Sequence, residues 1–181
     1  MFRNHLKTGC ILIIGGAKSG KSRIALNFCN GHNRKKIFVA TAQALDDEMR
    51  ERIRRHKEGR GGEWITVEEP IHIIEKIREV DKPDTVILVD CLTLWISNLF
   101  MAHGDSLQHV HESIDAFIEK LPRIKGTVVI VSNEVGMGIV PENNLARSYR
   151  DVAGSLNQRV AQAAQKVIAV MAGLPVVLKD E

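Results

Sequence analysis

Residues 11–22 read ILIIGGAKSGKS, and this stretch decides the fold of the chain. Its apolar first part predicts a buried strand that ends at Gly15. The remainder fits G-x-x-x-x-G-K-[ST], the phosphate-binding loop (P-loop) that joins a strand to a helix. Glycines let the backbone curl so that successive N–H groups face phosphate oxygens, and the helix starting near Ser22 adds its positive end. A chance glycine-rich turn does not account for the fixed positions, so we expect a nucleoside triphosphate site.

Three side chains are candidates for handling the phosphates. Lys21 is expected to reach the β- and γ-phosphates, and the Ser22 hydroxyl is expected to hold Mg²⁺. Asp90 ends an apolar strand at residues 85–89, as a Walker B acid does, so it is a second candidate ligand of Mg²⁺. The alternative for Asp90 is an ordinary strand end, because aspartate is common where strands stop.

Composition restricts the class of protein. With 181 residues, 44% of them hydrophobic and 26% charged, the chain is expected to be a single domain spanning residues 1–181. The net charge of +3 and the aromatic content of 4% provide no basic surface interleaved with aromatics, which disfavours nucleic-acid binding. No signal peptide and no apolar segment of bilayer length is present, so we expect a cytoplasmic protein without membrane insertion.

The three cysteines, Cys10, Cys29 and Cys91, each lie alone in an apolar stretch. They form no C-x-x-C pair, so they are expected to be reduced core thiols.

Strands and helices alternate along the whole chain. This order predicts an α/β fold with a mainly parallel sheet, helices on both faces and a C-terminal edge hairpin around residues 173–175. Ligands of such sheets gather at the carboxyl ends of the strands. The expected strand ends are Gly15, Thr41, Asp90 and the pair Asn133–Glu134.

The segment after Thr41 is expected to form a helix with Asp46 as its N-cap. Leu45, Met49 and Ile53 recur every four residues and predict one inward stripe, on which His56 also lies. Neighbouring cations disfavour a charged imidazole at His56, whereas the helix C-terminus favours one. From the residues alone, His56 is either a structural helix-end histidine or a neutral nucleophile toward a phosphate.

A second segment of interest follows Asn133. Residues 135–141 are rich in glycine and lead into a helix predicted over residues 142–166. The segment is either a loop that closes over a substrate or a plain connection between strand and helix.

Four segments taken together resemble one protein family. They are GGAKSGKSRIA (15–25), FVATAQALDDEMRERIRRHKEGR (38–60), VDCLTLWISNL (89–99) and SNEVGMGIVPENNLARSYRDVAGSLNQRVA (132–161). In this order they are similar to the bifunctional adenosylcobinamide kinase / adenosylcobinamide-phosphate guanylyltransferases of cobalamin biosynthesis. The resemblance covers nearly the whole chain.

The resemblance implies two reactions and a RecA-like P-loop fold. ATP or GTP phosphorylates the hydroxyl of adenosylcobinamide, and GTP then transfers GMP to adenosylcobinamide phosphate with release of pyrophosphate. In the family the transfer proceeds through a guanylylated histidine of an HK[ED]GR motif, which is residues 56–60 here. It therefore implies His56 as the nucleophile, beside Lys21 as the second catalytic residue.

The resemblance also implies the nucleotide contacts and the assembly. The expected contacts are Gly15, Gly16, Ala17, Lys18, Ser19, Gly20, Lys21, Ser22, Ala40, Thr41, Ala42, Lys57, Glu58, Gly59, Arg60, Glu68 and Asp90. Some relatives carry glutamate where Asp90 stands, and some carry a second histidine where Arg55 stands. Mg²⁺ and a homo-oligomer, a trimer in the family, are implied as well.

Other functions are compatible with a P-loop. A kinase of another small hydroxylated metabolite would need no guanylyl transfer. A GTP switch is disfavoured because the chain has no N-K-x-D motif, and a nucleic-acid motor is disfavoured by its small size and low aromatic content. Because the N-K-x-D motif is missing, guanine specificity rests on the family resemblance and not on a motif.

Overall fold

A computed structural model describes residues 8–104 and 106–181, without the side chains of Arg52 and His56. Its elements in chain order are β1 (Gly9–Gly15), α1 (Lys21–Asn30), β2 (Lys35–Ala40), α2 (Asp47–Glu58), β3 (Trp64–Glu68), α3 (Ile73–Val80), β4 (Thr85–Asp90), α4 (Leu92–His103), α5 (Leu107–Lys120), a 3₁₀ turn (Leu121–Arg123), β5 (Thr127–Asn133), α6 (Asn144–Ala163), β6 (Lys166–Met171) and β7 (Leu174–Asp180).

The strands form one sheet in the order β3-β2-β4-β5-β1-β6-β7. Pairing is parallel from β3 through β6, and β7 is antiparallel to β6, which confirms the mainly parallel sheet and the C-terminal edge hairpin. In the register, Gly15 pairs with Asn133, and Ala40 pairs with Asp90. The carboxyl ends of the central strands therefore lie side by side at one edge of the sheet.

Apolar side chains of β1 alternate between two buried layers, because successive residues of a strand point to opposite faces. Leu12 packs in the layer that contains buried side chains of α3, α4, α5 and α6. Ile11 and Ile13 pack in the opposite layer with Ala25 and Cys29 of α1. Helices cover both faces of the sheet, as the alternating pattern predicted.

Helix α2 begins as expected but presents a shorter apolar stripe. Asp46 is its N-cap, and its carboxylate accepts a hydrogen bond from the backbone N–H of Met49 at 2.7 Å. Met49 and Ile53 are partly buried, whereas Leu45 is 68% exposed. The expectation for Leu45 is wrong because this residue precedes the N-cap, where the backbone is extended and the helical period does not apply.

Two other helix boundaries also differ from the prediction. Helix α6 begins at Asn144 because the side chain of Asn143 accepts a hydrogen bond from the N–H of Ala146 at 3.1 Å. The apolar residues that follow Pro70 predict a helix over residues 70–80 with Pro70 at its start, whereas α3 starts at Ile73. The Glu69 carboxylate accepts hydrogen bonds from the next two backbone N–H groups and so holds this part of the chain in a turn.

All three cysteines are free and buried, in agreement with the expectation of reduced core thiols. Burial raises the pKa of Cys10 and of Cys29 to about 12, and it also raises the pKa of Cys91. In the described ranges, no helix combines the length and apolarity needed to cross a bilayer.

We predict that the folded protein resists thiol reagents near neutral pH. With a pKa of about 12, only about one thiol in ten thousand is ionised at pH 8, and the thiolate is the reactive form. Titration with dithiobis(nitrobenzoate) should proceed at least about a hundredfold more slowly in buffer than in guanidinium chloride, where all three thiols react. Fast reaction of Cys10 or Cys29 in the folded protein would contradict this packing.

Candidate active site

The P-loop connects β1 to α1 at the carboxyl edge of the sheet. Gly20 has φ of +95° and caps α1, and Lys18 also has a positive φ of 56°. Lys21 lies in the first turn of α1, and its ammonium group donates to the carbonyl of Gly16 at 3.0 Å. The loop thus curls around its own lysine, which leaves the N-terminus of α1 directed at the space where phosphates would bind.

The loop is held from behind by the β6–β7 hairpin. The backbone N–H of Gly173, in the hairpin turn, donates to the carbonyl of Ser19 at 2.9 Å. A Cβ on Gly20 would lie 3.3 Å from the Cα of Gly173, and a Cβ on Gly15 would lie 2.4 Å from the carbonyl oxygen of Val170. The P-loop backbone can approach the hairpin this closely only where it carries glycine.

A pocket, named here the nucleotide pocket, opens between the P-loop, α2 and the ends of β2 and β4. It is lined by Lys21, Ser22, Phe38, Ala40, Ala42, Met49, Ile53, Lys57, Arg60, Asp90, Cys91, Leu94 and Asn133. Cationic and oxygen-bearing groups form one part of this wall, and apolar side chains form the other. The pocket can therefore take a ligand that carries both an anionic group and a flat apolar ring.

Arg60 is the most enclosed cation of α2 and its C-terminal turn. The residue is buried, and its guanidinium lies 3.7 Å from the centre of the Phe38 ring. Burial lowers the pKa of Arg60, and the negative charge of Asp90 opposes that shift. Arg60 and Asp90, far apart in sequence, are thus electrostatically coupled in one pocket.

Lys57 and Glu68 form an ion pair with 2.7 Å between Nζ and Oε1. This pair connects α2 to the carboxyl end of β3. Both side chains were predicted to contact nucleotide, and the structure brings them together at the margin of the nucleotide pocket. Because both are about half exposed, the pair contributes little to stability and can open when a ligand arrives.

Thr41 and Glu58 have side chains that are occupied elsewhere. The fully buried Thr41 hydroxyl bonds to the backbone carbonyl and N–H of Cys91 at 2.8 and 2.7 Å. The Glu58 carboxylate accepts from Arg54 at 2.5 Å on the exposed side of α2. Thr41 therefore joins the ends of β2 and β4. Its backbone is bonded as well, because its N–H donates to the carbonyl of Asp90 at 3.3 Å and its carbonyl accepts from the Asn98 side chain at 2.7 Å.

A second cavity of about 610 Å³ lies on the outer side of the P-loop. Its lining consists of residues 17–23 together with Glu48, Glu51 and Arg55 of α2. Hydrogen bonds from Arg54 and Arg55 lower the pKa of Glu51 to about 2, so this carboxylate is charged at neutral pH. Because residues of α2 line both the nucleotide pocket and this outer cavity, the helix borders the P-loop on both sides.

The backbone of His56 belongs to α2, and its side chain lies outside the described residues. Its neighbour Arg55 lines the outer cavity, and its neighbour Lys57 lines the nucleotide pocket. The predicted catalytic role of His56 stays a prediction. What the structure adds is that this stretch of helix runs beside the P-loop.

The apolar wall of the nucleotide pocket was not predicted from the sequence. Phe38 and Leu94 were not singled out, and Met49 and Ile53 were expected only to face inward. Phe38 could have been found, because it lies two residues before Ala40 on the same strand and therefore on the same face. Leu94 offered no such signal, since its position depends on how α4 leaves β4.

Asn133 lies in the nucleotide pocket at the end of β5, and its orientation is set by a short network. Its side-chain N–H donates to the hydroxyl of Thr93 at 2.8 Å, and Tyr149 donates to the Thr93 carbonyl at 2.9 Å. Asn157 of α6 donates to the backbone carbonyl of Asn133 at 3.1 Å. The pocket is thereby linked to α4 and α6 on the far face of the sheet.

Comparison with known proteins identifies close relatives. A family model described as cobinamide kinase / cobinamide phosphate guanyltransferase matches residues 11–178. The chain is 41% identical over 170 residues to the bifunctional adenosylcobalamin biosynthesis protein CobP of Pseudomonas aeruginosa, covering 94% of this chain and 97% of that protein. It is 42% identical over 180 residues to the bifunctional adenosylcobalamin biosynthesis protein CobU of Escherichia coli K12, covering 93% and 99%.

Solved structures share the fold at lower identity. The flagellar accessory protein FlaH from Methanocaldococcus jannaschii aligns with a TM-score of 0.54 at 18% identity, over 96% of this chain and 79% of that one. A KaiC-like protein from Pyrococcus horikoshii OT3 aligns with a TM-score of 0.51 at 13% identity, over 89% and 70%. These likenesses agree with the predicted α/β, RecA-like P-loop fold and carry no further conclusion.

We predict that Gly173→Ala weakens nucleotide binding although the residue is outside the P-loop. Its φ of +79° is unfavourable for alanine by about 1 to 2 kcal/mol, so the turn that holds the Ser19 carbonyl shifts. The dissociation constant of a fluorescent GTP analogue should rise up to about tenfold. Gly104→Ala is the matched control, because Gly104 also has a positive φ and lies in the α4–α5 connection. Equal effects of the two substitutions would show that general destabilisation, and not the hairpin contact, is responsible.

Proposed function

Because the chain belongs to the cobinamide kinase / cobinamide phosphate guanyltransferase family, we propose that it carries out both reactions named by that family. In the first, ATP or GTP phosphorylates the hydroxyl of adenosylcobinamide. In the second, GTP transfers GMP to adenosylcobinamide phosphate, giving adenosyl-GDP-cobinamide and pyrophosphate. Both reactions belong to cobalamin biosynthesis.

The position of α2 relative to the P-loop is the observation that supports this proposal most. The helix and the turn after it contain residues His56–Arg60, and both line cavities that Lys21 and Ser22 also line. A nucleotide held by the P-loop would therefore have its phosphates next to the helix that carries the proposed nucleophile. One bound nucleotide can serve a γ-phosphate transfer and an attack on the α-phosphate.

The histidine route divides one displacement into two. In the first, an imidazole nitrogen of His56 attacks the α-phosphorus of GTP, and the bond to the bridging oxygen breaks so that pyrophosphate leaves. In the second, a phosphate oxygen of adenosylcobinamide phosphate attacks the same phosphorus, and the bond to the imidazole breaks. Each displacement takes place between groups held in place, which lowers its entropic cost.

The two reactions require different alignments of the same nucleotide, so part of the site has to move. Helix α2 is suited to that movement. None of its described side chains is buried, whereas α1, α3, α4, α5 and α6 each bury several. A helix with little buried area can shift at low cost in free energy.

The nucleotide contacts are proposed as the sequence predicted them, with two refinements. The P-loop residues Gly15–Ser22, the strand-end backbone Ala40–Ala42, and residues Lys57–Arg60 together with Glu68 and Asp90 form the proposed set. Thr41 would act by shaping this strand end, because its hydroxyl is bonded to Cys91, its N–H to Asp90 and its carbonyl to Asn98. Arg60, stacked on Phe38, lines the nucleotide pocket together with Lys21 and would be a second cation for an anionic ligand there.

The residues present fit a magnesium ion. Ser22 and Asp90 line the same pocket, and hydroxyl and carboxylate oxygens are the ligands that Mg²⁺ prefers. In the described ranges, no three His, Cys, Asp or Glu residues form a metal cluster. When bound, Mg²⁺ would neutralise charge that develops on the phosphates, and Lys21 would act on the same oxygens.

We further propose a cytoplasmic homo-oligomer, a trimer as in the family, built from one catalytic domain per chain. The exposed apolar side chains of Leu174 and Val176, on the edge strand β7, support association. The three free thiols fit a reducing compartment. The seven strands of the described ranges form a single sheet, which supports one domain.

We predict covalent labelling of the protein by GTP labelled at the α-phosphate, with Mg²⁺ present and the corrinoid absent. The label should be acid-labile and stable to base, as a phosphoramidate is. It should be lost in His56→Ala and retained in His111→Ala, an exposed histidine of α5 that serves as control. An unlabelled wild-type protein would remove the guanylyl transfer and leave a kinase of a small hydroxylated metabolite.

We predict that Lys21→Ala abolishes both activities, because a single P-loop serves both. Rates of adenosylcobinamide phosphorylation and of self-guanylylation should each fall by at least about a hundredfold, as expected when a positioned phosphate-binding cation is removed. Both are measured on the same preparation, with unfolding monitored by circular dichroism. Persistent guanylylation in this variant would indicate a separate second nucleotide site.

A further inference from the structure

We propose that the corrinoid acceptor of the kinase reaction binds in a groove between α6 and the β6–β7 hairpin, and that Glu134 accepts the proton of its hydroxyl group. This inference rests on the proposed function. The groove has a volume of about 890 Å³, against about 610 Å³ for the outer cavity of the P-loop. It lies on the face of the sheet opposite α1.

The groove begins directly beside the P-loop. Glu134 lines it, and the backbone N–H of this residue donates to the carbonyl of Gly15 at 3.1 Å. The preceding residue, Asn133, lines the nucleotide pocket. The two spaces lie on opposite faces of the sheet and approach each other across the ends of β1 and β5. The hydroxyl of an acceptor in the groove would reach a phosphate in the P-loop across this edge.

The lining of the groove matches a large ring that carries amide groups. Its floor is apolar, with Leu12 and Ile14 of β1 and Val167 of β6. Its rim carries Arg150 and Gln158 of α6, which can bond to carboxamide oxygen and nitrogen. A corrinoid has an apolar macrocycle edged by carboxamides, so apolar contact and amide hydrogen bonds would both be satisfied.

The loop after β5 adds an apolar wall. Met137, Ile139 and Val140 are 89%, 97% and 58% exposed, and Met137 and Val140 line the groove. Such exposure is costly in water unless a ligand or partner covers it. The glycine-rich segment, which the sequence analysis left open between a closing loop and a plain connection, would close over the acceptor.

Glu134 is the carboxylate best placed to act as base. Its Oε1 accepts a hydrogen bond from the N–H of Gly136 at 2.6 Å, which fixes the side chain at the junction of groove and P-loop. Within the described ranges, no cation lies in ion-pair range of Glu134, whereas Asp151, the other acid of the groove, has Arg150 at 3.6 Å. Of the two acids of the groove, Glu134 is therefore the one that lies next to the P-loop and is not held in an ion pair.

In the proposed kinase step, the hydroxyl oxygen of the acceptor attacks the γ-phosphorus and forms a new phosphate ester bond. The bond between that phosphorus and the β–γ bridging oxygen breaks, and the nucleoside diphosphate leaves with the electron pair. The hydroxyl proton passes to the Glu134 carboxylate.

A leucine placed in the groove tests whether the corrinoid acceptor binds there. A Cβ at Gly154, on α6, would meet no heavy atom within 4 Å, so Gly154→Leu fills the groove without a clash in the protein. The KM for adenosylcobinamide in the kinase assay should rise at least about tenfold, with the KM for nucleotide unchanged. Gln162→Leu is the matched control, because it adds a leucine on the exposed side of the same helix.

Glu134→Gln tests the proton transfer. The kinase kcat should fall by about 10² to 10⁴, and the dependence of kcat on an ionised base should disappear from its pH profile. Self-guanylylation by GTP without acceptor, measured on the same preparation, should fall less than the kinase kcat does, since it uses no acceptor hydroxyl. Glu142→Gln, a neighbouring exposed glutamate, is the control.

The outcomes separate this inference from the proposed function. If the wild-type protein showed neither adenosylcobinamide phosphorylation nor self-guanylylation, the proposed function itself would be refuted. An unchanged acceptor KM in Gly154→Leu would refute the groove, and a changed molecular mass by light scattering in that variant would instead assign the groove to contacts between copies of the chain. An unchanged kinase pH profile in Glu134→Gln would refute its role as base.

Discussion

The site depends on how closely the backbone at Gly15 approaches its two neighbours. Its carbonyl accepts from Glu134 of the segment after β5, and a Cβ at this position would collide with the Val170 carbonyl of β6. The P-loop can leave the sheet between these strands only because Gly15 has no side chain. That constraint places Lys21, Asp90 and Asn133 around one pocket.

The two helices that border the proposed binding sites, α2 and α6, differ in how firmly they are packed. On one side, α2 lies beside the P-loop with little buried surface and carries Arg55, His56 and Lys57. On the other side, α6 is packed through Val152, Leu156 and Val160 and forms one wall of a groove. A loosely held helix suits the step that needs movement, and a firmly packed one suits the binding of a large acceptor.

Much of the fold could be predicted because it depends on local patterns. The apolar run before Gly15, the cap at Asp46 and the alternation of strands and helices were all correct. Predictions failed where a side chain from a neighbouring turn decided the boundary. Glu69 holds the start of α3 in a turn, and Leu45 leaves the apolar stripe because it precedes the N-cap.

The sequence by itself determined the P-loop, the parallel sheet, the reduced cysteines and the family, since each is encoded in contiguous residues. Only the tertiary structure decided which distant groups meet: Lys57 with Glu68, Thr41 with Cys91, and Gly173 with Ser19. These contacts follow from the order of strands in the sheet, which places β2 between β3 and β4 and β1 beside β6. Local patterns of hydrophobicity specify that a strand forms but not which strand lies next to it. The contact between the β6–β7 hairpin and the P-loop could therefore be found only from the tertiary structure.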